Sequence, residues 1–204
     1  MACLDSCLTK EVVAEMARIR SGRKFEQFLL GDKAVDLGGP IPDIPFEPAW
    51  QEVLRVQVSR FDWDTKKPKT LAGQALFQAV AAELPNEAWR NALELYVAVG
   101  LAFDRRHHAD CAFLVNGMKR VGVDLTVEEY PYKLAKKRRA AESSPIPMVI
   151  LTRAKITRET GFAEYGREIA AKLLHGTFAH ERLLRQIRDH DFETVRRSMA
   201  RRRR

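Results

Sequence analysis

The stretch that decides the fold lies in the middle of the chain, where residues 109–127 read ADCAFLVNGMKRVGVDLTV. Two apolar, β-prone runs meet at Asn116-Gly117, a residue pair that readily adopts the positive φ angles of a tight turn. This pattern predicts a β-hairpin. An aspartate lies near the outer end of each strand, Asp110 on the first and Asp124 on the second.

The length of the turn decides whether these two aspartates face each other. A two-residue loop places Asp110 opposite Val123, and the two acids then point to opposite faces of the sheet. A three-residue loop or a β-bulge instead pairs Asp110 with Asp124. Both faces of residues 111–115 are apolar, so the sequence leaves both registers open.

Helices are predicted before the hairpin. Thr70 is placed to cap a helix that runs to Leu84, with Leu71 among its inward residues. Asn86 is placed to cap a second helix, because apolar residues continue at i, i+3, i+4 spacing as far as Phe103. We expect this second helix to be a central, largely buried element.

A further strand and more helices are predicted after the hairpin. Residues 148–152 form a short β-branched run that follows two prolines, which indicates a third strand. Helices follow over residues 157–176, 178–188 and 192–200. The fold class is therefore α+β, with a small mixed or antiparallel sheet made of the hairpin and a third strand. Helices flank this sheet, preceded by an N-terminal helical segment and followed by C-terminal helices.

The N-terminal third divides at a proline-rich stretch. Residues 38–48 read GGPIPDIPFEP and contain four prolines and two glycines, so we expect no regular structure there. The alternation over residues 54–58 fits a strand or a helix. The predicted division is an N-terminal helical segment (1–37), a linker (38–50), an α/β core (51–188) and a C-terminal helix with a basic tail (189–204).

The positive charge is concentrated in two segments. The net charge is +8, while residues 133–139 carry +5 and residues 182–204 carry +6, so the rest of the chain is slightly acidic. A local cationic patch of this kind is typical of a protein that binds a phosphate backbone. The alternative is a solvated face that contacts an acidic protein or a membrane surface, but the predominance of arginine favours phosphate. We therefore expect DNA or RNA as the partner, bound by Lys133, Lys136, Lys137, Arg138, Arg139, Arg196, Arg197, Arg201, Arg202, Arg203 and Arg204.

The remaining bulk features exclude several classes of protein. The longest apolar run, Leu95 to Phe103, is far shorter than the roughly 20 residues that cross a bilayer, so we expect no membrane association. The first residues of the chain contain no apolar stretch of the kind that forms a secretory signal. The whole chain has three cysteines, which cannot all pair in disulfides, so we expect a reducing, cytoplasmic location. Phosphate loops of the GxxxxGK[ST] type, GxSxG elbows and HExxH runs do not occur.

The stretch HADCAFLVNGMKRVGVDLTV resembles the core of the PD-(D/E)XK nuclease-like superfamily. Members of that superfamily place a helix before a β-meander, an aspartate on one strand and an acid-x-Lys signature on the next. Asp110 matches the first acid and Asp124 the second, within a resemblance that covers about residues 86–175. Thr126 stands where the family usually has lysine, and a hydroxyl can orient a water but supplies no positive charge.

This resemblance implies a magnesium site and phosphodiester chemistry. Asp110 and Asp124 would hold Mg²⁺, and Thr126 or a lysine from residues 133–137, with Lys133 as the first candidate, would assist at the reacting phosphate. The implied function is that of a nucleic-acid-binding protein, either an Mg²⁺-dependent endonuclease or a descendant that only binds. The alternative is a non-enzymatic small subunit of a nucleoprotein assembly, with a protein partner.

Two tyrosines interleave with the first basic segment, in the sequence EEYPYKLAKKRR. Tyr130 and Tyr132 beside lysines and arginines have the composition of a surface that binds a nucleic-acid strand. They fit equally well as an anchor that packs a loop onto the sheet, and the sequence does not choose between these roles.

Overall fold

The computed structural model describes residues 11–31, 43–61, 68–117, 119–158 and 162–175. The first half of the described chain is helical, and its strands all lie between residues 93 and 152. In chain order the elements are α1 (11–18), α2 (Gly22–Leu30), α3 (Phe46–Phe61), α4 (Leu71–Ala82), α5 (Glu87–Asn91), β1 (Leu93–Val97), α6 (Ala102–His107), β2 (Cys111–Val115), β3 (Lys119–Thr126), α7 (Pro131–Glu142), β4 (Met148–Thr152), α8 (Arg153–Arg158) and α9 (163–175).

The four strands form one mixed sheet in the order β1-β2-β3-β4. Strands β1, β2 and β3 are an antiparallel meander, whereas β4 runs parallel to β3 and is reached through the crossover helix α7. Helices α2, α3 and α7 pack on β3, β1 and β4 respectively. The fold is therefore α+β with a helix-flanked sheet, which confirms the fold class predicted from the sequence.

The hairpin forms where the sequence predicts it. Asn116 and Gly117 both have positive φ angles, 54° and 68°, as the turn requires. Val115 pairs with Lys119, so three residues separate the strands, and the ladder ends with Cys111 opposite Val123. Extending this antiparallel register by one residue puts Asp110 opposite Asp124, which is the three-residue alternative.

The prediction of one central helix from Asn86 to Phe103 is wrong. Asn86 does cap a helix, since its side chain accepts a hydrogen bond from the Trp89 N–H at 3.1 Å, but α5 ends at Asn91. Residues 93–97 then form β1, which pairs with β2 along its whole length. A short run of apolar residues is compatible with a buried helix and with a strand buried on both faces. Here the hydrogen bonds to β2 make it a strand.

The proline-rich stretch was also predicted incorrectly in its second half. Helix α3 begins at Phe46 and includes Pro48, so residues 46–50 are helical and not part of a linker. A proline in the first helical turn is tolerated because the N–H groups there have no partner within the helix. The same helix covers residues 54–58, which resolves that segment as helical. Part of the predicted linker, residues 38–42, lies outside the described residues.

Helix α4 confirms the predicted helix after Thr70, whose side chain accepts a hydrogen bond from the Gly73 N–H at 3.0 Å. Leu71, however, is 58% exposed, so its predicted inward position is wrong. The buried face begins one residue later, and Leu71 is rotated about 100° away from Ala72 on the helix.

The C-terminal part contains α8 and α9 in place of one helix from residue 157. The Thr157 hydroxyl donates to carbonyl oxygens within α8, including that of Arg153 at 3.1 Å, so it does not cap α9. The predicted helices over 178–188 and 192–200 lie outside the described residues, as does the arginine tail. No helix in the described ranges is long and apolar enough to cross a bilayer.

One hydrophobic core runs from Val12 to Leu173 and includes residues of the N-terminal helices. Successive strand residues point to opposite faces of the sheet. Phe113 lies on one face, with its ring 6.3 Å from that of Phe77 on α4. Tyr96 lies on the other face, with its ring 5.5 Å from that of Trp50 on α3. Asp124 shares this second face, two residues before the end of β3.

Candidate active site

Asp110 and Asp124 lie side by side at one end of the sheet. The ladder ends at the pair Cys111–Val123, and continuing its register by one residue puts these two side chains on the same face, opposite each other. Both are buried, with 6% and 5% of their surface exposed. Asp110 Oδ2 accepts a hydrogen bond from the Leu125 N–H at 2.5 Å, which fixes its carboxylate across the strand pair.

Asp104, on helix α6, adds a third acid. Its Oδ2 accepts a hydrogen bond from the Gly100 N–H at 2.8 Å. Its carboxyl group is also hydrogen-bonded to that of Asp110, which requires a proton between them. Burial raises the pKa of Asp104, and it raises the pKa of Asp110 well above the usual range. The nearby charges of Asp104, Glu26 and Asp124 raise the pKa of Asp110 further.

Glu26, on helix α2, faces the same group from a distant part of the sequence. It is half-buried, and burial together with the charges of Asp104 and Asp124 raises its pKa. Glu26 thus lies within electrostatic range of Asp104 and Asp124, and we call Glu26, Asp104, Asp110 and Asp124 the acidic cluster. Mutual repulsion and burial make this cluster a favourable place for a positive charge.

Lys137, on helix α7, supplies one such charge. Its Nζ donates to Asp124 Oδ1 at 2.6 Å and to Oδ2 at 2.8 Å. The lysine side chain is 36% exposed and that of Asp124 is 8% exposed, so the lysine reaches into the cluster from its rim. Burial still raises the pKa of Asp124, and the Lys137 ammonium opposes that rise.

Other residues predicted to act here take different positions. Thr126 is buried at 6% exposure, and its Oγ1 accepts a hydrogen bond from the Glu128 N–H at 3.1 Å, which places the hydroxyl at the loop after β3. Lys133 Nζ is paired with Glu128 Oε2 at 2.8 Å and makes no described contact with the acidic cluster. The structure thus brings Asp110 and Asp124 together, with Lys137 beside them in the place expected for Lys133.

The predicted nucleic-acid-binding residues fall into two groups. Lys136, Arg138 and Arg139 lie on the exposed side of α7, and within the described part of the chain they form no ion pair. The remaining predicted residues, Arg196, Arg197, Arg201, Arg202, Arg203 and Arg204, lie outside the described residues.

Sequence reasoning missed Glu26 and Asp104. Asp104 lies six residues before Asp110, but the predicted helix through Phe103 hid the short helix α6, whose first turn holds Asp104. Glu26 belongs to the amphipathic helix α2, more than 80 residues before the hairpin in the sequence, and no local signal connects it to the hairpin.

The donor set fits a magnesium ion only with help from outside the chain. Among the described residues no three histidine, cysteine or acidic side chains are arranged to hold a metal ion. Two adjacent carboxylates are nevertheless what Mg²⁺ commonly receives from proteins, because it keeps several waters and takes further oxygens from a phosphate. Asp110 and Asp124 match that requirement in type, while in this structure both Asp124 oxygens accept from Lys137 and Asp110 Oδ2 accepts from the Leu125 N–H.

Comparisons of this chain with protein-family models, with curated proteins and with solved structures found no match.

Proposed function

We propose that this protein is a magnesium-dependent phosphodiester hydrolase that acts on nucleic acid, as its resemblance to the PD-(D/E)XK nuclease-like superfamily implies. One observation carries the proposal: Asp110, directly before β2, is buried and accepts a hydrogen bond from the Leu125 N–H beside the buried Asp124 of β3, and the Lys137 ammonium is bonded to Asp124. The antiparallel meander followed by a helix that packs on the sheet also agrees with the arrangement of that superfamily.

Asp110 and Asp124 would hold the metal ion. When bound, Mg²⁺ lowers the pKa of a coordinated water and neutralises charge on the phosphate. Asp104 positions Asp110 through their shared hydrogen bond, while the Gly100 N–H holds Asp104 in turn. Burial and the neighbouring acids raise the pKa of Asp110, so its ionised form needs a nearby cation to offset the buried negative charge.

We assign to Lys137 the role that the family usually gives to a lysine two residues after the second acid, where this chain has Thr126. Its three N–H donors can hold Asp124 and, at the same time, a phosphate oxygen or the attacking water. A positive charge placed where negative charge develops typically accelerates such a reaction by about 100-fold or more. Because helix α7 also exposes Lys136, Arg138 and Arg139, the same element can hold the phosphate backbone of the substrate.

The experiment is a cleavage assay with supercoiled DNA, single-stranded DNA and RNA in Mg²⁺, Mn²⁺ or EDTA. We expect cleavage only with a divalent ion. Asp124→Asn and Lys137→Met should each lower kcat by about 100-fold or more. Two exposed residues provide matched controls, Glu83→Gln for the acid and Lys24→Met for the lysine, and both should retain wild-type rates.

Two outcomes would contradict the proposal. Equal rates in the wild type and in Asp124→Asn would indicate a contaminating nuclease. Salt-sensitive binding to nucleic acid without cleavage of any substrate would instead favour a non-enzymatic subunit of a nucleoprotein assembly. Calorimetric titration with Mg²⁺ adds an independent readout, since Asp110→Asn should lose the binding heat that the wild type shows.

A further inference from the structure

Two solvent-exposed tyrosine rings lie at the start of helix α7. Among the described residues, the large apolar side chains that remain exposed are Leu71, Tyr130 and Tyr132. The tyrosines are 62% and 70% exposed, and their ring centroids are 6.2 Å apart. Rings this exposed do not anchor a loop to the sheet, so that alternative does not apply.

Cations follow this aromatic pair along helix α7. The Lys133 Nζ, which is paired with Glu128, lies 5.4 Å from the centroid of the Tyr130 ring. Tyr132, Lys136 and Arg139 are spaced by four and three residues, so they form one stripe along the exposed side of α7. Both cations of the stripe are without an ion-pair partner in the described residues, which leaves them available to phosphates.

Helix α7 connects the aromatic pair to the acidic cluster, because Lys137 on this helix bonds Asp124. Lys133 and Lys137 are four residues apart on one face of α7, and Tyr130 directly precedes the helix. Seven residues of helix correspond to about 10 Å, a distance of two to three nucleotides along a strand. A strand held by the tyrosines can therefore reach the Lys137 end of the helix without a bend in the protein.

We propose that Tyr130 and Tyr132, with Lys136 and Arg139, bind an unpaired strand of nucleic acid and direct it to the acidic cluster. The substrate is then single-stranded DNA or RNA, or an unpaired end of a duplex. This inference depends on the proposed function for its substrate chemistry. It adds that the nucleic acid is single-stranded, which the acidic cluster alone does not indicate.

The choice of a single strand follows from the exposed rings. Every base has an aromatic face on which tyrosine can stack, but a duplex covers those faces by its own stacking. Basic residues alone would bind a duplex as well as a single strand, because both present phosphates. Two solvent-exposed tyrosines next to the cations therefore favour unpaired bases.

Binding is tested in EDTA, so that cleavage plays no part. Fluorescence anisotropy is measured with labelled oligothymidylate, oligouridylate and a DNA duplex of equal length. We expect the wild type to bind the single strands at least about tenfold more tightly than the duplex. The preference between the thymidylate and uridylate probes identifies DNA or RNA as the natural strand.

Variants separate stacking from charge. Changing both tyrosines to alanine should weaken single-strand binding by about tenfold for each ring, whereas changing both to phenylalanine should leave it within about twofold. Leu71→Ala removes the other exposed apolar side chain and should have no effect. Lys136→Ala should lower the slope of affinity against salt by about 0.7, while the tyrosine variants leave that slope unchanged.

The results distinguish this inference from the function on which it depends. Duplex binding as tight as single-strand binding, or alanine variants that bind like the wild type, would overturn the inference even if cleavage is seen. Tyrosine-dependent binding of single strands without metal-dependent cleavage would uphold the binding site and contradict the hydrolase. Absence of any nucleic-acid binding by the wild type would contradict both.

Discussion

Replacing Lys137 by methionine tests the electrostatics of the acidic cluster directly. The change removes the ammonium that bonds both oxygens of Asp124 and leaves a buried carboxylate beside Asp110. Removing one partner of a fully buried ion pair typically costs about 3–5 kcal/mol. The Lys137 side chain is 36% exposed, so water already screens the pair, and we expect about 2 kcal/mol.

The assay is urea unfolding at neutral pH, supported by thermal unfolding. In a protein of 204 residues, 1 kcal/mol corresponds to about 2–4 °C, so the melting temperature should fall by about 4–8 °C. Asp124→Asn is the matched comparison. It removes the buried charge and frees Lys137 to turn into solvent, so its cost should stay below about 1 kcal/mol.

Two further measurements sharpen this prediction. Burial raises the pKa of Asp124, and loss of the lysine removes the charge that opposes the rise. A carboxyl group whose pKa is higher in the folded than in the unfolded protein destabilises the fold increasingly as pH rises. The deficit of Lys137→Met should therefore shrink as pH falls toward the usual range of carboxyl pKa values. Added Mg²⁺ should also restore part of the stability that Lys137→Met loses.

Either of two results would contradict a stabilising ion pair. If Lys137→Met unfolds at the same urea concentration as the wild type, the ion pair has no net effect on stability. If Asp124→Asn loses more stability than Lys137→Met, the carboxylate is stabilising in its own right. The double variant measures the coupling between the two residues, and additive effects would likewise contradict a direct pair.

Two other predictions concern the packing around the sheet. Gly166→Ala should cost about 1–3 kcal/mol in urea unfolding, because its Cβ would come within 2.4 Å of the Ala79 carbonyl oxygen, which the backbone holds in place. Gly22→Ala is its control, since the nearest atom lies 3.8 Å away, and it should be neutral or slightly stabilising. Arg153→Met should cost about 2–3 kcal/mol, because this buried guanidinium bonds the Ile19 carbonyl oxygen and Glu129. A loss below about 0.5 kcal/mol in either variant would count against the packing or the bond invoked for it.

Some parts of the fold could be predicted from the sequence because their signals are local. The turn at Asn116-Gly117 depends on positive φ angles that these two residues adopt readily, and the structure has them there. Thr70 and Asn86 cap helices because their side-chain oxygens accept from N–H groups three residues on. Residues 148–152 form a strand, as their composition indicates.

Other parts could not be predicted because they depend on partners distant in the chain. Residues 93–97 have a spacing that suits a helix, and only pairing with β2 makes them a strand. Both registers of the hairpin bury an apolar face, so the sequence could not choose between them. The structure has the register that pairs Val115 with Lys119, and this brings Asp110 to Asp124.

The amino-acid sequence by itself determined the hairpin, its two aspartates and a basic segment close behind them. Only the tertiary structure decided that these residues meet. Glu26, Asp104 and Lys137 come from three separate helices, and each reaches the two strands through packing that no local pattern encodes. Turn and capping preferences act over a few residues, whereas a cluster of charges assembled from five elements depends on how the whole core packs.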